Sequence, residues 1–384
     1  MGELAEIVGG GTPSTSVDSY WDGDIDWYAP AEIGEQIYLK SSQRKITEEG
    51  LNKSSAKVLP VGTVLFTSRA GIGKTAILLK EGCTNQGFQS IVPNKDKLDS
   101  YFIFTRSEEL KRYGEIVGAG STFVEVSGKQ MANMELMMPT TMDEQQKIGG
   151  YFSNLDNLIT LHQRKCDETK RLKKYMLQKM FPQNGEKVPE IRFSGFTDDW
   201  EQRKLPEFVS FFNGLTYTPD DVEETGTLVL RSSNVKNGEI VDADNVYVND
   251  KVVTSENVHE GDIIVVVRNG SRALIGKHAQ IKDSMPNTVI GAFMSGMRSE
   301  HSSFVNALLD TSAFENEIAK NMGATINQIT GYMFSKMEFM IPSGNEQQKI
   351  GEYFQSLDNL ITLHQRELEN LQNIKKFMLG KMFV

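Results

Sequence analysis

Residues 144–164 read EQQKIGGYFSNLDNLITLHQR, and residues 346–366 read EQQKIGEYFQSLDNLITLHQR. The two stretches lie 202 residues apart and are identical at 18 of 21 positions, so the chain contains an internal duplication. The stretches that precede them, such as 121–139 and 324–342, correspond only loosely. The chain therefore consists of a variable domain, a near-identical segment, a second variable domain and a second near-identical segment.

Each near-identical segment is predicted to be a long helix. Its apolar residues recur at alternating spacings of four and three, the period of a coiled-coil seam. The predicted helix seam consists of Ile148, Phe152, Leu155, Ile159 and His162 in the first copy, and Ile350, Phe354, Leu357, Ile361 and His364 in the second. Because such a stripe is unstable in water, we expect the two copies to pack on each other. A duplication with a long intervening domain can place its copies about a pseudo-two-fold axis, which predicts an antiparallel coiled coil in which His162 faces His364 near the midpoints. Leucines outside the seam indicate a second contact surface, for a partner protein: Leu158, Leu161, Leu360 and Leu363.

The repeat predicts an α+β fold with two globular domains joined by the two long helices. The predicted order is a first domain at 1–140, a helical spacer at 141–182, a linker at 183–200, a second domain at 201–342 and a second helical spacer at 343–384. Strands are predicted within Val58–Phe66, Ala76–Lys80, Thr227–Arg231 and Asp262–Val267, and helices near 98–117 and 300–321. Apolar strands that end at Pro139 and Pro342 are expected to close the two domains.

Composition limits the class of protein. Hydrophobic residues make up 39% and charged residues 24% of the chain, values typical of a globular protein. No apolar run reaches the roughly 18–20 residues that span a bilayer, and no signal peptide is evident. Two isolated cysteines, Cys83 and Cys166, are consistent with the reducing cytoplasm. The net charge of −10 argues against nucleic-acid binding, but phosphates respond to the local field within about 10 Å.

The loop at 68–76, SRAGIGKTA, ends in Gly-Lys-Thr as a phosphate-binding P-loop does. A P-loop needs a glycine where this chain has Ser68, which disfavours nucleotide hydrolysis. Arg69 and Lys74 of the same loop suit a phosphate or the edge of a guanine. A solvated turn is an equally good interpretation.

Both variable domains carry basic and amide residues in their loops. The candidate DNA-binding residues are Arg69, Lys74, Asn85, Gln86, Arg268, Asn269, Arg272 and Lys277. Arginine favours guanine in the major groove, and asparagine or glutamine favours adenine. Ordinary surface polarity explains any single one of them equally well. Trp21, Trp27 and Tyr28 are expected to be core aromatics, and neither a metal-binding histidine spacing nor a catalytic constellation is present.

Several motifs together resemble the specificity subunits of type I restriction-modification enzymes, over essentially the whole chain. They are Gly10–Thr15 with Tyr20–Ile25, Glu144–Ile148 with Leu155–Ile159, and Pro189–Phe193 with Gly195 and Phe196. In that family a lead-in like residues 183–203 usually precedes the first domain as well, whereas Met1 aligns near Lys204.

The resemblance implies that each domain reads one half of a split site in double-stranded DNA. The helices would set the distance between the halves and bind two methyltransferase subunits. Those subunits would bind S-adenosylmethionine and methylate a flipped adenine, and two restriction subunits would add ATP- and Mg-dependent cleavage. This chain would be non-catalytic, without cofactor or metal, and cytoplasmic. Two alternatives stay open: a coiled-coil scaffold that does not read DNA, and a P-loop-like NTPase.

Overall fold

The computed structural model describes residues 1–34, 36–69, 71–119, 125–183, 185–322 and 327–383. The chain divides into two compact units. Unit 1 contains Met1–His162 and Glu367–Val384, and unit 2 contains Gln163–Arg366. Each unit therefore holds one variable domain, the first part of one repeated helix and the last part of the other.

Unit 1 contains two sheets in its described residues. Its strands are β1 Ala5–Gly9, β2 Trp21–Tyr28, β3 Tyr38–Leu39, β4 Arg44–Ile46, β5 Val64–Phe66, β6 Thr75–Leu78, β7 Gly82–Thr84 and β8 Gln89–Pro93. Its helices are α1 Glu48–Asn52, α2 Ser100–Thr105, α3 Ser107–Gly118, α4 Gly128–Ala132 and the first part of α5 Met142–Met180. The larger sheet has the order β1-β8-β5-β6-β3 and the smaller β4-β2-β7, with β2 and β7 parallel.

Two predicted elements of unit 1 are shorter than expected. The predicted strand at Val58–Phe66 is strand only from Val64, because the chain turns at Gly62, whose φ is +89°. The predicted helix near 98–117 is two helices, α2 and α3, which meet at Arg106 with φ −95° and ψ 16°. Asp99 caps α2 by accepting a hydrogen bond from the Phe102 amide at 2.8 Å.

Unit 2 repeats this plan with more short strands. They are β9 Glu201–Lys204, β10 Ser210–Asn213, β11 Val222–Glu223, β12 Thr227–Leu230, β13 Val235–Lys236, β14 Glu239–Ile240, β15 Val246–Val248, β16 Ile263–Val266, β17 His278–Gln280, β18 Thr288–Ile290, β19 Met294–Arg298 and β20 Glu338–Ile341. The helices are the second part of α5, then α6 Ser302–Leu309, α7 Ser312–Asn321, α8 Gly331–Phe334 and most of α9 Gly344–Met382. The main sheets are β10-β19-β16-β17 and β11-β15-β12-β18, and the parallel pair β12 and β18 is the counterpart of β2 and β7.

The predicted helix near 300–321 is also two helices, because the Thr311 side chain caps a new helix by accepting from the Phe314 amide. The strand expected before Pro342 is present as β20, which pairs with β9. The corresponding prediction before Pro139 is wrong for the described residues, since 134–138 form no strand. A strand needs a partner for its backbone hydrogen bonds, and β9 supplies that partner in unit 2.

The ends of α5 and α9 meet inside unit 1. The ring of Phe383 lies 5.8 Å from that of Phe102 and 6.1 Å from that of Phe152. Further along, Lys375 Nζ lies 2.5 Å from Asp156 Oδ1. The contacts thus advance from Phe152 to Asp156 along α5 while they move back from Phe383 to Lys375 along the other segment, which is an antiparallel arrangement.

Unit 2 contains the reciprocal arrangement. The ring of Phe181 lies 5.7 Å from that of Phe304 and 6.0 Å from that of Phe354. Lys173 Nζ lies 2.5 Å from Asp358 Oδ1. All three phenylalanines and both members of the ion pair stand 202 positions from their counterparts in unit 1. The predicted α+β class with antiparallel long helices is confirmed. No helix among the described residues is long and apolar enough to cross a membrane.

Candidate nucleic-acid interface

The loop that carries Arg69 is a tight β-hairpin between β5 and β6. The Thr67 hydroxyl donates to the Gly71 carbonyl at 2.7 Å and accepts from the Lys74 amide at 2.9 Å. Gly73 has φ +97°, and a Cβ there would lie 2.3 Å from Lys111 Cγ, so glycine is required. Strand β6 begins directly after Lys74. The loop therefore lacks the following helix on which a P-loop depends, and the NTPase alternative loses its basis.

Arg69 is exposed but oriented. Its Nη2 lies 2.8 Å from Glu125 Oε1, and the two side chains are 46% and 35% exposed. Arg69 and Glu125 also face each other in an isolated antiparallel β-bridge. A carboxylate thus fixes one edge of the guanidinium while the rest of the group stays accessible.

Asn85 and Gln86 lie on the loop after β7, next to the Arg69 hairpin. The Ser68 amide donates to the Gly87 carbonyl at 2.7 Å, which joins the two loops. Asn85 Oδ1 accepts from the Gly87 amide at 2.8 Å, so part of its amide stabilises its own turn. Gln86 is exposed and accepts a hydrogen bond from the Thr12 hydroxyl. Of the two amide residues, Gln86 is the more accessible.

Two buried tryptophans hold the glycine-rich segment beside these loops. Trp27 Nε1 donates to the Gly11 carbonyl at 2.8 Å, and Trp21 Nε1 donates to the Ser14 carbonyl at 3.1 Å. Their side chains are nearly inaccessible, as is Tyr28, in agreement with their prediction as core aromatics. A Cβ on Gly10 would lie 1.9 Å from the Asn85 carbonyl oxygen, so the segment packs directly on the Asn85 loop.

Arg268 occupies the position in unit 2 that corresponds to Arg69. It follows β16 as Arg69 follows β5, and it pairs with Gln328 in an isolated antiparallel bridge. Its guanidinium carbon lies 5.0 Å from the centroid of the Phe293 ring, which is 55% exposed. The same backbone site therefore presents an arginine held by an aromatic face rather than by a carboxylate.

The other predicted residues of unit 2 differ in accessibility. Asn269 Nδ2 donates to the Ser232 hydroxyl at 3.2 Å, and Lys277 Nζ donates to the Ser232 carbonyl at 3.4 Å. Arg272 is exposed at the start of a short 3₁₀ turn, residues 272–274. Asn269 and Lys277 thus help to hold the loop, whereas Arg268 and Arg272 extend from it.

The predicted seam residues are most deeply buried near the start of each helix. Phe152 and Leu155 in unit 1, and Ile350, Phe354 and Leu357 in unit 2, are less than 9% exposed. The remaining seam residues, Ile148, Ile159, His162, Ile361 and His364, are half-buried. The expected contact between His162 and His364 would join the two units, and it stays a prediction.

Polar contacts that the sequence interpretation missed lie beside the seam. Lys173 Nζ lies 2.6 Å from Asp310 and 2.5 Å from Asp358. Burial alone would lower the pKa of Lys173, but the two carboxylates outweigh it and raise that pKa above its ordinary value. Burial raises the pKa of the Asp358 carboxyl, and the nearby negative charge of Asp310 raises it further. A single lysine thus faces two acids.

In unit 1 the counterpart lysine has a different neighbour. Asp156 accepts from Lys375 Nζ at 2.5 Å and from the Tyr101 hydroxyl at 2.8 Å. Burial, with the nearby Asp156 charge, raises the pKa of Tyr101. The 202-residue offset, which places Lys375 opposite Lys173 in the repeat, was the signal that both have a shared role.

The sequence profile of the type I restriction modification DNA specificity domain matches residues 1–171 and again 197–373. The MjaIX type I restriction enzyme specificity subunit of Methanocaldococcus jannaschii is 34% identical over 54% of this chain, and the match covers 45% of that protein. The MjaVIII specificity subunit of the same organism is 22% identical, with 98% of this chain and 89% of that protein covered. The chain thus spans about half the length of the first of these relatives and most of the second.

A crystal structure of a type I restriction-modification S subunit from M. genitalium has the same fold. It superimposes with a TM-score of 0.69 at 14% identity, and the match covers 100% of this chain and 94% of the other. The profile accounts for most of the sequence and matches it twice, in agreement with the duplication. The prediction made from the motifs is confirmed: the chain belongs to the family of type I restriction-modification DNA specificity domains.

Proposed function

We propose that this chain is the non-catalytic specificity subunit of a type I restriction-modification complex and that each variable domain reads one half of a split site in double-stranded DNA. The observation that carries the proposal is the pair of arginine loops. Arg69 and Arg268 stand at the same backbone position of the two units, both exposed, and their neighbours differ. Because equivalent backbone positions carry different side-chain environments in the two units, the two domains are suited to reading different DNA sequences.

The two long helices would bind the methyltransferase subunits. Large apolar side chains are exposed on both helices within each unit. In unit 1 they are Leu158, Leu161, Ile374 and Phe377, and in unit 2 they are Leu360, Leu363, Leu172 and Tyr175. We call each set the helix patch of its unit. The two patches correspond residue by residue through the 202-residue offset, which suits two copies of one partner.

The catalytic groups would belong to the partners. The methyltransferase subunits would bind S-adenosylmethionine and flip the target adenine, and two restriction subunits would use ATP and Mg for cleavage. A DNA substrate would place the assembly in the cytoplasm. Among the described residues, no cluster of three or more histidine, cysteine or acidic side chains could hold a metal ion.

Mapping of methylated adenines tests the proposal. DNA from cells that contain this chain and its methyltransferase is expected to carry one bipartite motif with a fixed spacer. Cells with the methyltransferase and the double variant Arg69→Ala, Arg268→Ala serve as the control and should lose that motif. A methylation pattern that does not depend on this chain would favour a scaffold that does not read DNA.

The helix patches have a separate test. Leu158→Gln with Leu161→Gln should reduce the number of methyltransferase subunits per chain from two to one in native mass spectrometry. Leu360→Gln with Leu363→Gln should do the same, and the four changes together should leave none. Ile116→Gln is the matched control, since Ile116 is 69% exposed on α3. An unchanged ratio in all variants would contradict this role for the patches.

A further inference from the structure

The residue opposite Arg69 is part of the surface that the arginine presents. The Val126 amide donates to the Ser68 carbonyl at 2.9 Å, which holds Glu125 directly across from Arg69. Directly opposed residues of an antiparallel pair project to the same side. The 2.8 Å ion pair and the partial exposure of both side chains agree with this placement.

Unit 2 has the same backbone arrangement with another residue in that place. The Ile329 amide donates to the Val267 carbonyl at 2.8 Å, and Gln328 stands across from Arg268. Gln328 is half-buried, like Glu125. The two units therefore present Arg with Glu in one loop and Arg with Gln in the other.

We propose that the residue across the bridge from each arginine, Glu125 in unit 1 and Gln328 in unit 2, determines which base pair its domain accepts. This inference rests on the proposed function and adds a specificity determinant to each domain. The arginines contact the DNA, and the residues opposite them select the base pair.

Glu125 suits a G·C pair. An ionised carboxylate only accepts hydrogen bonds, whereas guanidinium has five N–H donors. With Nη2 of Arg69 beside Glu125, further donors of the guanidinium stay available for O6 and N7 of guanine. A carboxylate oxygen accepts from N4 of cytosine, which stands beside guanine in the major groove. An adenine or thymine would leave part of this array unpaired.

Gln328 suits an A·T pair at the equivalent place. Its amide both donates and accepts, and so matches N6 and N7 of adenine. Arg268, stacked over Phe293, keeps its donors for a neighbouring guanine. The two domains would accept different base pairs at this position, because Glu125 carries a carboxylate and Gln328 carries an amide.

The test measures methylation by the assembled methyltransferase of duplexes in which each base pair of the motif is varied in turn. Glu125→Gln should reduce the preference for G·C at one position of one half-site by about tenfold, the scale of a lost hydrogen bond to a charged group. Gln328→Glu should change the preference at one position of the other half-site only. Glu115→Gln, which removes the same charge from an exposed α3 residue, should change neither.

Each outcome separates the inference from the proposed function. If the unaltered complex shows no sequence preference, the proposed function fails. If it has a motif but Glu125→Gln leaves the order of preferred bases unchanged, whether or not total activity falls, the inference fails. If Glu125→Gln gives no measurable methylation, Glu125→Asp replaces it and keeps the acceptor. A retained G·C preference in that variant supports the inference, and a lost preference overturns it.

Discussion

The aromatic cluster at the helix ends keeps the same phenylalanines and the same ring spacings in both units, although Phe102 and Phe383 meet at 69° and Phe304 and Phe181 at 27°. The arginine loops share only their backbone. Equivalent ring distances in the cluster agree within 0.1 Å, at 5.8 and 5.7 Å and at 6.1 and 6.0 Å. At the loops, Arg69 meets a carboxylate and Arg268 meets a phenyl ring. The duplicated chain has thus kept the residues that hold the helices and varied the residues proposed to read DNA.

The ion pairs beside the aromatic cluster are alike in the two units in some groups and different in others. Each unit pairs one lysine with one aspartate at 2.5 Å, but the third group differs. In unit 1 it is the Tyr101 hydroxyl, which donates to Asp156. In unit 2 it is Asp310, a second acid. The lysines should therefore matter unequally, although their sequence positions are equivalent.

The largest expected effect concerns the aromatic clusters. Phe152→Ala and Phe354→Ala each remove a fully buried ring, and each should lower the free energy of unfolding by about 3–5 kcal/mol. Urea denaturation measures both losses, which should be similar because each ring lies about 6 Å from the equivalent phenylalanine that follows the other helix. Phe377→Ala is the control, since this side chain is 63% exposed and should change stability by no more than about 0.5 kcal/mol. Markedly unequal losses would show that the aromatic clusters of the two units do not contribute equally to the free energy of unfolding.

The next effect separates the two lysines. Lys173→Met removes the lysine that lies between Asp310 and Asp358, leaves only His278 beside Asp310 and the more distant charge of Lys282 near Asp358, and should cost about 3 kcal/mol. Lys375→Met should cost less, about 1–2 kcal/mol, because Tyr101 still donates to Asp156. Urea denaturation of both variants measures the difference.

The pH dependence of Lys173→Met provides an independent check. Without the lysine, the pKa of the paired acids in the folded protein exceeds the unfolded value, so the folded variant binds protons more tightly. Its stability should rise relative to the wild type as the pH falls from 7 to 5. A difference that stays constant or widens would contradict the shared role of Lys173 between two carboxylates.

The third effect concerns DNA rather than stability. Arg69→Ala and Arg268→Ala should each weaken methylation at one half-site only, by about 1–3 kcal/mol of discrimination at one base pair. Methylation of duplexes with single base changes measures this. Arg164→Ala, on the exposed side of α5, is the control for loss of positive charge. An equal loss in both half-sites for either variant would mean that the arginine contacts DNA without reading a separate half.

The paired helices were predictable because the repeat places an apolar seam on each copy, and such a seam needs a partner. Their antiparallel direction was predictable because a duplication with a long intervening domain can place its copies about a pseudo-two-fold axis. The helices begin one residue inside and end two residues inside the predicted spacers, 141–182 and 343–384, and no proline interrupts either helix. The breaks at Arg106 and Thr311 were not predictable, because they depend on local caps rather than on apolar periodicity.

The loop residues show a second limit of the sequence. Asn269 and Asn85 were candidates by residue type, yet the amide oxygen of each accepts a hydrogen bond from a backbone N–H of its own loop. Glu125 was not a candidate, although it stands opposite Arg69. Such contacts join positions distant in the chain, and only the loose correspondence between 121–139 and 324–342 hinted that Glu125 and Gln328 are equivalent.

The smallest expected effect sharpens the comparison of the ion pairs. Tyr101→Phe removes one hydrogen bond to Asp156 and should cost about 0.5–1.5 kcal/mol at pH 7. Ser303 stands at the equivalent position of unit 2, so the variant makes unit 1 resemble unit 2. The loss from Lys375→Met should then grow in the Tyr101→Phe background, and a double-mutant cycle in urea measures the coupling. Since the pKa of Tyr101 is raised above its ordinary value of 10, the hydroxyl stabilises the folded state fully below pH 10. The difference between wild type and Tyr101→Phe should shrink only as the pH rises above 10. Additive losses in the cycle would mean that Tyr101 and Lys375 hold Asp156 independently, and that the third group does not explain why the two lysines differ.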